Sequence, residues 1–556
     1  MNAKPYKVLV IGMDGATFDV IHPMVKQGKL PTLSKLMASG VSASLRSTFP
    51  PVTAPAWVSF MTGKNPGKHG VFDFCADTTH GYTRPFVSSR DIQAKTLWTL
   101  LSEKGRRVGV INVPITYPPE EVNGFIIPGY QRALTHREYT YPAGLFKEIE
   151  KMGYLLDYSG DMVPYTDDKT DYIEGWKRVV EARKKTSLRL MQEYEWDFFM
   201  TVYKCTDEVQ HHFWRYHDNS YPDCPEDQRQ RYGTVIEEFY QKVDQAVGEQ
   251  VALLDKNSIV IIMSDHGAGP LHKHFNLNRW LIQEGHMGLK RMRYLGLARY
   301  PYSYLYYKIL RRVGINGIDW TVPRHLPRAV RKKIDPRLGL DTSTLIDWKR
   351  TKAYMGNMTE QGIYINLKGR EPEGIISPGY EYERLREELA EKLLSVKDPE
   401  TGAKIVERVF KKEELYQGPY ADKAADLYFL LKDNWTYILD GTLYRNALVS
   451  PANPVSGTHR MEGILIMAGD VFKNGITLKE TSIMDIFPTI LYAMGIPIPD
   501  DLDGSVIAEA FKESHIRDYP AHFEEASGME TKQEPFAYSD KDNDLIRQKL
   551  KSLGYM

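Results

Sequence analysis

Lys7-Val8-Leu9-Val10-Ile11-Gly12-Met13-Asp14 is an apolar run of strand length that ends in a carboxylate. A run with no polar alternation belongs to a strand buried on both faces, the condition of a parallel sheet covered by helices. Similar runs recur at residues 107–113, 197–203, 258–264 and 463–467. Between them lie helix-period stretches at 31–39, 96–104, 172–194, 232–254 and 485–494. The alternation predicts an α/β fold, a three-layer α/β/α sandwich around a mainly parallel central sheet.

The composition changes over residues 276–440, which are rich in Tyr, Arg and Pro and carry shorter strands near 362–367 and 426–431 and a charged helix at 381–394. This predicts an inserted α+β cap domain, flanked by the two parts of a core at 1–275 and 441–556, with a terminal helix at 540–553. The segment 300–312 (YPYSYLYYKILRR) is aromatic and basic, a candidate either for membrane-surface or partner contact or for packing inside the cap.

The chain has 556 residues, of which 42% are apolar and 26% charged, so it can bury a large core. Its 72 Lys and Arg balance 72 Asp and Glu, and this neutrality argues against a nucleic-acid partner. Three cysteines without C-x-x-C spacing are too few to staple a chain of this size. No apolar run approaches the roughly 18 residues of a membrane span, and the N-terminus enters the first strand without a signal-peptide pattern. A cytoplasmic protein with no transmembrane segment is the expectation.

Three predicted strands run into acids: the first into Asp14, the third into Asp207, and the fourth into Asp265 and His266. In parallel α/β sheets ligands sit at the carboxyl ends of strands, so these acids should converge on one crevice. Asp207 and His211 are four positions apart, on one face of a helix, where both can grip one cation. Asp265 and His266 can hold a second cation or bridge two. Oxygen mixed with imidazole nitrogen suits zinc or manganese better than magnesium or calcium. His212 faces about 100° away from His211 and reads as a supporting residue.

In Pro50-Pro51-Val52-Thr53-Ala54-Pro55-Ala56-Trp57, Thr53 is expected to cap a helix running to Thr62, with Pro55 in its first turn. Free N–H groups and the positive end of the dipole would then surround the hydroxyl. Trp57 is expected to pack or to wall a leaving group.

Taken together, Gly12-Met13-Asp14-Gly15, Thr53-Ala54-Pro55 with Thr62-Gly63-Lys64-Asn65-Pro66-Gly67-Lys68-His69-Gly70, Thr206-Asp207-Glu208-Val209-Gln210-His211, Ser264-Asp265-His266-Gly267 and Gly457-Thr458-His459 resemble the alkaline phosphatase superfamily. Within it they are most similar to the type I phosphodiesterase/nucleotide pyrophosphatase-like phosphohydrolases, and Pro66-Gly67-Lys68-His69-Gly70-Val71-Phe72-Asp73-Phe74 looks like a subgroup of predicted phosphohydrolases and phosphomutases. The resemblance implies one metal ion held by Asp207, His211 and His459 and a second held by Asp14, Asp265 and His266. It also implies Thr53 as nucleophile and ligand to the second. His459 enters only through this resemblance. Where the nucleotide pyrophosphatases place an asparagine after the His-Gly pair, this chain has Val71-Phe72-Asp73-Phe74. Sulfatases need a modifiable Cys or Ser and an Arg where this chain has Thr53 and Trp57. His69 reads as a turn residue.

The implied chemistry is attack by Thr53 on phosphorus, a covalent phosphothreonine, and its cleavage by water or by a second alcohol, on a small organic phosphate mono- or diester. Water makes a hydrolase and an alcohol a transferase or a cofactor-independent phosphomutase. A binding protein on the same scaffold is the non-catalytic alternative, disfavoured because all six ligand candidates and the threonine are present. Lys68, Asp73 and Arg460 lie beside the motifs and are candidates to contact substrate, with Lys64 and Lys273 as further cations.

Overall fold

The computed structural model describes residues 6–76, 82, 85–129, 139–158, 168–221, 224–290, 346–355, 361–432, 435–438, 447–452, 455–526, 528 and 536–552. The segment 300–312 lies outside these.

The first strand, β1 (Lys7–Met13), sits at the centre of the main sheet, with Val8 to Ile11 fully buried. Strands β2 (Gly40–Arg46), β3 (Val108–Ile111), β4 (Gly124–Ile127), β5 (Phe198–Tyr203), β6 (Ser258–Met263) and β7 (Glu462–Ala468) join it in the order β2-β7-β6-β1-β5-β3-β4. On one side Val8 pairs in parallel with Ile259, and on the other with Phe198. The five predicted strands therefore form, and all but one run parallel.

The exception is β7, antiparallel to both β6 and β2, with Leu465 opposite Met263 and Ala43. Its apolar pattern is that of a parallel central strand, because burial on both faces removes alternation whatever the direction. The chain reaches it from the strand Gly457–Arg460, which pairs antiparallel with Gly267–Pro270 just beyond the carboxyl end of β6. It then turns at Met461 and must enter the sheet from that edge.

The helices Pro31–Ser39, Thr170–Glu193 and Cys205–His217 each pack against Val235–Val251. The helices Thr53–Thr62, Leu97–Glu103 and Ile486–Ala493 form a second group, giving the three-layer arrangement. The Thr53–Thr62 helix is buried at all its residues, as its largely apolar sequence requires, and ends on Gly63 in the left-handed region. The helix Asp540–Ser552 ties to the core through Lys549, whose ammonium lies 2.5 Å from the buried Glu208 carboxylate.

A second apolar core lies in the inserted region. The antiparallel strands Val406–Lys411, Leu427–Leu431, Gly362–Ile365 and Ala353–Tyr354 carry the helix Tyr380–Ser395, which buries Leu385, Leu389 and Leu393. Arg370 grips the buried Asp426 with both terminal nitrogens at 2.7 Å. This unit docks on both sides of the Thr53 helix: before it the Tyr416 hydroxyl donates to the Phe49 carbonyl, and after it the Tyr420 N–H donates to the Gly67 carbonyl. Its two connections to the core are neighbours: Phe275 pairs antiparallel with Val449.

Candidate active site

Two of the acids, Asp14 and Asp265, are each held by one oxygen and offer the other. Asp14 follows β1, and its Oδ2 accepts the indole N–H of Trp57 at 3.3 Å while Oδ1, fully buried, has no partner among the described residues. Asp265 follows β6 by one residue, and its Oδ1 accepts the Gly15 N–H at 3.1 Å while Oδ2 is likewise buried without a partner. Asp207, in the first turn of the Cys205–His217 helix, presents Oδ1 at 3.2 Å from His211 Nε2 and 3.4 Å from His459 Nε2. Gly15 makes room for this: its φ is +65°, and a Cβ there would come within 2.9 Å of the Asp207 carboxylate.

The three histidines are oriented by the same device. Nδ1 of His211 meets the Gly457 carbonyl at 2.9 Å, Nδ1 of His266 the Gly267 carbonyl at 2.9 Å, and Nδ1 of His459 the Pro51 carbonyl at 2.7 Å. A carbonyl only accepts, so each Nδ1 carries the proton and each neutral ring turns an Nε2 lone pair inward. His211 and His459 bring these lone pairs to 3.2 Å from one another. Two lone pairs and a carboxylate oxygen at that separation repel unless a cation lies among them, which is how imidazole metal ligands are ordinarily oriented.

The donors fall into two buried groups, Asp207 with His211 and His459, and Asp14 with Asp207 and His266, the atoms in each lying within 4.8 Å of one another. Asp207 belongs to both, whereas the expectation gave it to one. Asp265 joins the second group through His266, its Oδ2 lying 3.3 Å from Nε2.

Electrostatics give the same reading. Burial, with the charges of Asp265 and Asp207, lifts the Asp14 carboxyl well above its ordinary range. Burial and the Asp207 charge push Asp265 up to about 8. Burial would raise Asp207 too, but His211 and His459 outweigh it and hold it well below. Burial lowers both His266 and His459. Burial would lower His211 too, but the Asp207 carboxylate outweighs it and lifts His211 above its ordinary value. Three carboxylates in a dry site cannot all ionise without added positive charge, and imidazole nitrogens with two partnerless carboxylate oxygens fit divalent cations.

Thr53 is the first residue of its helix rather than its cap. Val52 is extended (φ −109°, ψ 135°) and its carbonyl accepts the Ala56 N–H. The Thr53 hydroxyl is consequently not used for capping and donates to the His266 Nε2 at 3.3 Å. Pro55 has no N–H, so the backbone donors offered at this end are those of Thr53 and Ala54.

The candidate substrate contacts are otherwise engaged. The Lys68 ammonium lies 2.6 Å from the Asp503 carboxylate and donates to the Asp501 carbonyl at 2.8 Å, and Lys64 pairs with Asp501. These contacts fasten the Gly63–Gly70 turn to the 501–503 loop. Arg460 donates to the carbonyls of His459 at 3.0 Å and Pro270 at 2.5 Å, bracing the strand that carries His459. Lys273 pairs with Asp398 and Glu400. Asp73 is buried and accepts the Phe74 N–H at 2.6 Å. Trp57 packs, as one of its two readings had it, but it is fully buried behind Asp14 and forms no wall of an open pocket.

His69 is a buried turn residue: its Nδ1 accepts the Val71 N–H, so Nε2 donates to the Ser59 hydroxyl at 2.9 Å. His212 packs edge-on against Tyr172, with centroids 5.3 Å apart, and neither ring nitrogen has a partner among the described residues. Burial lowers both histidines from the ordinary 6.5 to about 3. Between those values the unfolded chain holds the proton and the folded chain does not, so stability falls as pH drops from about 6.5 towards 3. Replacing His212 with Phe removes one such proton uptake, and melting temperature against pH should decline less steeply below 6.5 than in the wild type. Curves that stay parallel across the window would show that His212 does not contribute.

The chain as a whole is similar to known proteins. A family model described as type I phosphodiesterase / nucleotide pyrophosphatase matches residues 8–444. No curated protein matches the sequence. Among solved structures, phosphonoacetate hydrolase from Sinorhizobium meliloti 1021, in complex with phosphonoformate, is 15% identical, covering 89% of this chain and 96% of that one with a TM-score of 0.52. Murine ectonucleotide pyrophosphatase / phosphodiesterase 5 is 14% identical, covering 92% and 99% with a TM-score of 0.48. The first likeness carries the fold, a mixed α/β architecture around a mainly parallel sheet.

Proposed function

The chain belongs to the type I phosphodiesterase / nucleotide pyrophosphatase family of phosphoric ester hydrolases, and on that premise we propose that it cleaves a small organic phosphate mono- or diester through a covalent phosphothreonine on Thr53. Asp207, His211 and His459 would hold one divalent cation, and Asp14, Asp265 and His266, with Thr53, a second. Zinc suits these donors, with manganese as the alternative. The observation that carries the reading is the convergence of three inward Nε2 lone pairs and two partnerless carboxylate oxygens beside the Thr53 hydroxyl.

Bound cations would supply charge to stabilise the threonine alkoxide and the phosphoryl oxygens. The chain's own residues do the remainder. Thr53 Oγ1 forms the bond to phosphorus as the bond to the leaving oxygen breaks, and the leaving group departs on the opposite side. The N–H groups of Thr53 and Ala54 at the helix start favour the phosphoryl oxygens. Water then cleaves the phosphothreonine, returning the hydroxyl and releasing the phosphoryl product. Tyr416 meets Phe49 four residues before Thr53, and an inserted cap over residues 276–440 would bound the leaving-group side. The chain has no helix, among the described residues, long and apolar enough to cross a membrane. With its few, unbridged cysteines this supports a cytoplasmic setting.

The test is release of p-nitrophenol from p-nitrophenyl phosphate, bis-p-nitrophenyl phosphate and p-nitrophenyl sulfate, after chelation and return of zinc or manganese. Metal-dependent cleavage of a phosphate ester, with the sulfate untouched, is the expected result, and the better ester identifies a monoesterase or a diesterase. A protein that binds two cations and cleaves none of the three would turn the reading to a phosphomutase or phosphotransferase.

A further inference from the structure

Thr53 and Trp57 stand one turn apart on the same face of one helix. The Trp57 indole is fully buried and lies on β1, so closely that a Cβ added to Gly12 would come within 2.6 Å of its ring. Gly12 is two residues before Asp14 in the same strand. The ring edge also meets Phe60 at 5.9 Å and 90°, so the indole has no room to change rotamer. Its single polar group, a donor and never an acceptor, gives its hydrogen to Asp14 Oδ2 at 3.3 Å. The other oxygen, Oδ1, faces His266 Nε2 at 3.8 Å and is the partnerless one.

A carboxylate rotates broadly about its terminal torsion, and among the described residues the Trp57 N–H is the hydrogen bond that holds one Asp14 side-chain oxygen and leaves the other towards His266. We propose that Trp57 is a positioning residue: its N–H selects which Asp14 oxygen faces the second cation group, and the helix it shares with Thr53 sets the spacing between that oxygen and the nucleophile. This rests on the reading of Thr53 and the two cation groups given above. The indole acts as a spacer between two ligands of the same group. Turning the Thr53 helix to move the hydroxyl would also drag the donor off Asp14, so nucleophile and ligand keep one geometry.

The experiment is calorimetric titration of the chelated protein with zinc or manganese, for the wild type and Trp57→Phe, which keeps an aromatic ring and removes the donor. One of the two binding steps should weaken about tenfold, the effect expected of an outer partner of a metal ligand, with the other step unchanged within about twofold. At saturating metal, kcat for the preferred ester should fall while KM moves less than about twofold. In an Asp14→Asn background the same replacement should do nothing further. The benzothienyl analogue of tryptophan at position 57 keeps the full bicyclic shape without the N–H, and it should reproduce the one-step loss if Phe disturbs packing. Two binding steps unchanged in either variant, or both weakened equally together with the melting temperature, would make the indole a packing residue and overturn the proposal. A wild type that binds no cations overturns the underlying function as well, which separates the two failures.

Discussion

Thr53→Ala is expected to lower phosphate-ester cleavage by on the order of 10³-fold or more, at least about 4 kcal/mol of transition-state stabilisation, with little loss of fold stability. The dissociation of the two effects comes from where the helix begins. Were Thr53 the cap, its removal would cost about 0.5–2 kcal/mol of stability. Val52 is the cap instead, and it makes no side-chain bond to the helix. The Thr53 hydroxyl points to His266 and bonds nothing in its own helix. Alanine therefore leaves the helix start intact and removes only the oxygen that would bond to phosphorus. Serine keeps that oxygen without the methyl that fixes its rotamer and should retain a measurable fraction of the rate. Rates under saturating metal, read beside the melting temperature, check this. An alanine variant with more than about a tenth of wild-type turnover would exclude the phosphothreonine.

The second large effect belongs to Asp207→Asn. This carboxylate lies in both donor groups, within 3.2 Å of His211 and 3.4 Å of His459. Asparagine has the same shape and no charge, so both cations lose an anionic neighbour at once. Outer partners of metal ligands cost roughly 10- to 100-fold in affinity when removed, and a ligand common to two groups should cost at least about 100-fold at each binding step. Activity at ordinary metal concentration should fall to background and return only in part at high metal. Asp265→Asn, whose oxygen reaches only the second group, should weaken chiefly one step. Two unchanged steps in Asp207→Asn would show that the cations bind elsewhere.

Much of this was visible in the sequence because parallel strands deliver the residues at their carboxyl ends to one edge of the sheet. Asp14, Asp207 and Asp265 each come after a doubly buried run, and the edge where they emerge is where they meet. His459 escapes that logic because it comes before β7, on the short strand Gly457–Arg460 outside the main sheet. It reaches the same edge through the strand β7 that runs the other way, and direction leaves no trace in an apolar run. Thr53 is one residue inside its helix because its hydroxyl has a partner across the site, which a local rule for helix starts does not see. Lys68 read as a phosphate contact because its motif is basic. The acids that engage it, Asp501 and Asp503, lie at the far end of the chain. Trp57 contributes a hydrogen-bond donor that depends on the register between its helix and β1, set only when both are packed.

The pairing of Phe275 with Val449 has a consequence for what the fold tolerates. A long excursion that leaves and returns at adjacent positions on one small sheet asks nothing of its own length, since the entropy of closing a loop grows only slowly with the number of residues in it. The segments that carry Asp14, Thr53, Asp207, Asp265 and His266 precede the excursion, and the one that carries His459 comes after it. Material between those two positions could thus be enlarged, trimmed or exchanged without moving the residues of the candidate site. On the proposed function, the substrate accepted could change while the residues that would cleave it stay where the core holds them.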